Sequence, residues 1–79
     1  MLSNNDWDKL SKAFRSMRKE VVEVSMGVTS ITVRTARAGR GWPVAMIIGV
    51  ELRRGGQVVE RQWVESIESA RDRVGRWTV

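Results

Sequence analysis

VAMIIGVELRRGGQVVERQWV, residues 44 to 64, holds the longest apolar run of the chain, then a Gly55-Gly56 pair, then a second alternating run ending in Trp63 and Val64. Two strands joined by a Gly-Gly turn are the natural reading, because the central residues of a tight hairpin turn need φ > 0 and glycine adopts it freely. Val44, Met46, Ile48, Val50 and Leu52 fall on every second position and define a buried face. Ala45, Ile47, Gly49, Glu51 and Arg53 take the other face, which turns polar toward the hairpin tip, as in a strand covered on one side only. After the turn Val59 and Trp63 alternate with Glu60 and Gln62, while Val58 and Arg61 blur the pattern and leave the register open.

Before this hairpin, Val22, Val24 and Met26 alternate with Glu23 and Ser25, and after Gly27, Ile31 and Val33 alternate with Ser30, Thr32 and Arg34. Gly27 marks either a hairpin between two strands or a bulge in one longer strand, so the order is α-β-β-β-β-α or α-β-β-β-α. Helices flank the strands. Ser3 with Asp6 reads as a helix start, and Trp7, Leu10, Phe14 and Met17 follow as one apolar stripe, with Arg15, Arg18 and Lys19 in the last turns. Ser66 caps a second helix, in which Ile67, Ala70, Val74 and Trp77 repeat the stripe. The expected fold is α+β: a small antiparallel sheet of three to four strands with both helices packed on one face.

In the bulge case the order helix, three strands, helix resembles that of double-stranded RNA-binding domains. The resemblance is one of topology. Where those domains carry a lysine-rich run at the start of their second helix, this chain has Ser66-Ile67-Glu68-Ser69.

With 79 residues the chain is expected to form a single domain over 1–79, near the size where one hydrophobic core is marginal and a homodimer or a partner supplies the rest. No stretch approaches the apolar length of a membrane span and none resembles a signal peptide, so a soluble, cytoplasmic protein is expected. Fourteen basic residues oppose nine acidic ones, for a net charge of +5. Eleven of the fourteen are arginine, suited to planar contacts with phosphate or carboxylate. Residues 24–50 carry three arginines and no acidic residue.

Those three arginines lie in Arg34-Thr-Ala-Arg37-Ala-Gly39-Arg40-Gly41-Trp42-Pro43, read as a connecting loop. Arginines, flexible glycines and a tryptophan combine phosphate contact with base stacking, and equally suit a protein interface. Arg34, Arg37, Arg40 and Trp42 are therefore the candidate binding residues, joined by Arg53 and Arg54 at the hairpin end, with Ile47 as the interface residue of the uncovered sheet face. That face is expected to show Glu23, Ser25, Ser30, Thr32, Arg34, Ala45, Ile47, Gly49, Glu51 and Arg53.

Catalysis finds little to work with. The chain has no histidine and no cysteine, which removes the usual neutral-pH base, the thiolate nucleophile and the nitrogen and sulfur ligands of zinc. Gly39-Arg40-Gly41 is too short for a phosphate-binding loop, and the row Glu65, Glu68, Asp72 is an open helix surface rather than a converging cation site. A non-enzymatic protein without cofactor or metal is expected. Its partner is a nucleic acid directly, or a protein or nucleoprotein complex that handles one, as for a small phage-type inhibitor such as an anti-CRISPR. The alternative is a structural homodimer or subunit with no nucleic-acid role.

Overall fold

The computed structural model describes residues 1–39 and 45–77. Within them the elements run α1 (Asn4–Arg15), β1 (Val21–Met26), β2 (Thr29–Ala38), β3 (Ala45–Arg54), β4 (Gln57–Val64) and α2 (Ile67–Trp77). The strands form one antiparallel sheet in the order β1-β2-β3-β4, so every strand pairs with its neighbour in sequence. This is the α+β fold expected, with four strands.

Gly27 therefore separates two strands. It has φ +64 while Val28 stays out of the left-handed region, the pattern of a type II′ hairpin turn with glycine at its first central position. At the other hairpin both Gly55 (φ +59) and Gly56 (φ +81) are left-handed, as a type I′ turn demands. The two tips touch: Gly55 N–H donates to Val28 C=O at 2.9 Å. A fourth strand removes the helix, three strands, helix order, and with it the likeness to double-stranded RNA-binding domains.

α1 begins with a complete capping box. Asp6 N–H donates to Ser3 Oγ at 3.1 Å, and Ser3 N–H donates back to Asp6 Oδ2 at 2.9 Å. The helix ends earlier than its basic residues suggest, at Arg15. Arg18 N–H reaches back to Ala13 C=O (2.8 Å) and Met17 N–H to Phe14 C=O (3.2 Å), a Schellman closure. Met17 holds the left-handed position of that motif at φ 56 and is exposed, so it leaves the apolar stripe in which it was expected. Arg18 and Lys19 fall in the connection that follows. At the second helix, Ser69 N–H donates to Ser66 Oγ at 3.1 Å, the expected cap.

The core lies between the sheet and both helices. Ile31 and Val33 of β2 and Ile48, Val50 and Leu52 of β3 meet Trp7 and Leu10 of α1 and Ala70 and Val74 of α2, with Leu2 closing one end. Arg71 of α2 stands over the Trp7 ring of α1 at 5.5 Å, a cation–π contact between the two helices. The connection after α1 is pinned to β2 by Thr35. Its hydroxyl donates to Arg18 C=O (2.6 Å) and accepts from Glu20 N–H (2.8 Å). β1, which among the described residues pairs only with β2, is the outer strand on one side.

β4 is the outer strand on the other side, and it settles the open register. A bulge between Leu52 and Arg53 pairs Glu60 with Leu52 and Val58 with Arg53, leaving Val59 as the extra residue. Glu60, Gln62 and Val64 then take the helix side, where Glu60 Oε2 accepts from Trp77 Nε1 at 2.6 Å. Arg61 and Trp63 take the opposite face, and Trp63 is 52% exposed. Among the described residues no helix is long and apolar enough to cross a membrane.

Candidate functional site on the open sheet face

Both helices cover one face of the sheet, and the pairing register arranges the other into rows across the strands. One row is Val21–Arg34–Gly49–Trp63, the next Glu23–Thr32–Glu51–Arg61, and the third Ser25–Ser30–Arg53–Val58. Ala36 opposite Ile47 and Ala38 opposite Ala45 continue the face toward the far end of β2 and β3. All ten residues expected on this face belong to it. Arg61, Trp63 and Val58 were not among them, because they come from the strand whose phase the bulge sets.

Glu51 is the electrostatic centre of the face. It is only 6% exposed, yet both its oxygens are held by guanidinium groups. Arg53 Nε donates to Oε1 at 2.5 Å, and Arg61 donates to Oε2 from Nε at 2.7 Å and from a terminal nitrogen at 2.6 Å. The Arg53 hydrogen bond above all, then that of Arg61 and the Coulomb attraction of both, outweighs the burial that opposes ionisation. The carboxyl is held below its ordinary range. Arg53 and Arg61 remain about half exposed, with N–H groups left over for an outside acceptor. The clamp thus consumes the carboxylate and displays the cations.

Arg34 and Trp63 flank Gly49. The indole's benzo ring fills the space that a side chain on Gly49 would take: a β-carbon there would lie 2.7 Å from Cζ3 and 3.1 Å from Cε3 and Cη2. Arg34 is exposed and has no ion-pair partner among the described residues. Arg34, Gly49, Glu51, Arg53, Arg61 and Trp63 line a shallow cleft of about 300 Å³. Glu23, at the β1 edge, accepts from Thr32 Oγ1 at 3.2 Å and is the second carboxylate of the face.

The expected arginine loop is divided by this geometry. β2 continues to Ala38, so Arg34 and Arg37 are strand residues rather than loop residues. They are three positions apart, and alternation sends them to opposite faces. Arg37 lies on the helix side, where it donates to Met17 C=O at 3.3 Å. Arg40 and Trp42 lie outside the described residues. Arg53 joins the open-face cluster, whereas Arg54 is exposed at the hairpin end with the parity of the other face. Ile47 is half-buried on the open face.

The basic end expected of the first helix gains a member that the sequence did not place there, Arg37. Lys12, Arg15, Arg18 and Lys19 are exposed around the end of α1, and Arg37 comes to the same place from β2. Only Lys9 there is paired, with Glu20 at 3.4 Å, among the described residues. Among the described residues no group of three or more acidic side chains could hold a metal ion. Comparison with known proteins found no matching family model, no matching curated protein and no matching solved structure.

Proposed function

We propose that this is a non-catalytic binding protein that takes a nucleic acid on its open sheet face. The observation that carries the reading is the cluster Arg34, Arg53 and Arg61 around the internally satisfied Glu51. Three guanidinium groups stand on a face no helix covers, and the carboxylate among them is occupied by its own protein. Arginine presents paired N–H donors that match phosphate oxygens, and a net charge of +5 adds a long-range attraction for polyanions.

The test is binding of labelled oligonucleotides across a salt series. Three neutralised phosphates on a single strand give a slope of about −2 in log K against log salt. Arg34→Glu weakens binding and flattens the slope. Absence of binding at low salt overturns the reading. Retention of a nucleic-acid-handling protein after nuclease treatment would then favour action through a protein complex, as a small phage-type inhibitor acts.

A second reading has its own observation. Ile47 with Ala36, Ala38 and Ala45 forms an apolar end to the same face, which a second copy of the chain could cover. Dimerisation that is insensitive to salt and abolished by Ile47→Glu would favour it.

A further inference from the structure

We infer that the nucleic acid is single-stranded and that Trp63 is the platform on which one of its bases stacks; this rests on the nucleic-acid reading above. The indole is a large apolar group left 52% exposed beside the charged row Glu23–Thr32–Glu51–Arg61. It is also held in place. Gly49, the residue opposite Trp63, has no side chain, so the ring settles across β3 toward Arg34 instead of standing into solvent. Arg34 is the next residue along the row, one strand further. The backbones carrying the exposed indole and the unpaired guanidinium thus lie two strand spacings apart, about 10 Å, and the ring itself reaches over the strand between them.

That juxtaposition matches a base and the phosphates beside it. Stacking uses the π-face that every base carries, so it is tolerant of sequence, and arginine supplies the backbone contact. In a duplex those π-faces are covered by neighbouring base pairs, and exposing one costs a few kcal/mol. The platform therefore favours a strand whose bases are already free. The cleft beside the indole, about 300 Å³, is at the small end of ligand sites and suits one flat ring.

The experiment is fluorescence anisotropy with four probes of equal length: labelled oligothymidylate, labelled oligouridylate, a mixed-sequence duplex and an abasic strand. Each is measured on the wild type, Trp63→Ala and Trp63→Phe. Base stacking predicts that both single strands bind more tightly than the duplex and the abasic strand. Trp63→Ala weakens single-strand binding roughly 5- to 100-fold, Trp63→Phe recovers part of the loss, and abasic binding is unchanged. The ratio of the thymidylate and uridylate affinities tells a DNA ligand from an RNA one. Equal binding of all probes, unmoved by either substitution, overturns the stacking role and leaves the phosphate reading standing. Binding of none of them overturns both.

Discussion

Trp63 and Gly49 face each other across β4 and β3, and the indole occupies the place where any larger residue than glycine would carry its β-carbon, 2.7 Å from Cζ3. Aromatic cover of a strand glycine restores contact that the missing side chain forfeits. Here it also determines the direction of the ring.

Gly49→Ala therefore displaces the indole. Because Trp63 is half-exposed it can swing outward, so the stability loss is small, about 1 kcal/mol. Tryptophan emission shifts to the red, and the same substitution made on a Trp63→Phe background produces no such shift. Single-strand binding falls along with the ring's position.

Thr35 is 2% exposed and ties the connection after α1 to β2 with one donated and one accepted hydrogen bond. Thr35→Val keeps the shape and leaves Arg18 C=O and Glu20 N–H without that partner. A loss of about 2 kcal/mol is expected from the two bonds, read as a lower urea midpoint with an unchanged slope.

Met17 sits at φ 56 with an exposed side chain. Met17→Gly relieves the left-handed strain and adds chain entropy to the unfolded state; the first term is the larger. A gain of about 0.5 kcal/mol is expected in thermal or urea unfolding, without change in oligonucleotide binding.

The Glu51 clamp fixes a pH dependence. Its carboxyl is held below the ordinary value in the fold, chiefly by the Arg53 hydrogen bond. The stabilisation is thus complete above the unfolded-state pKa of about 4.3 and is lost as pH falls through the lower folded value. Glu51→Gln destabilises by about 1–2 kcal/mol near neutrality, a modest cost because the two arginines it releases are exposed and regain water. Urea midpoints of variant and wild type should differ by a constant amount above about pH 5 and converge in more acid solution.

The same substitution moves binding the other way. Glu51→Gln deletes a negative charge from the face and frees Arg53 and Arg61 toward solvent. Oligonucleotide affinity rises several-fold at low salt, and the salt slope steepens. A weaker fold with tighter binding separates the charge role of Glu51 from its structural one.

What the sequence by itself determined is local. The capping box at Ser3 and Asp6, the Ser66 cap, the Gly55-Gly56 turn and the core positions Ile48, Val50 and Leu52 each follow from spacing over a few residues, and all stand as expected. The open-face residues of β1, β2 and β3 followed from the same alternation.

Tertiary structure decided the rest. Whether Trp63 faced the helices depended on the bulge at Leu52 and Arg53, and a one-residue slip moves a whole strand's side chains to the other face. The hydrogen bond from Trp77 to Glu60, seventeen residues away, forms only because β4 and α2 share that face. Arg61 meets Glu51 only once the hairpin has closed. Arg34 and Arg37 look like one cluster in sequence, yet β2 runs through both and turns them apart. Spacing reveals what a residue's near neighbours require; which cations share a face depends on how strands pair, and pairing is a property of the folded chain.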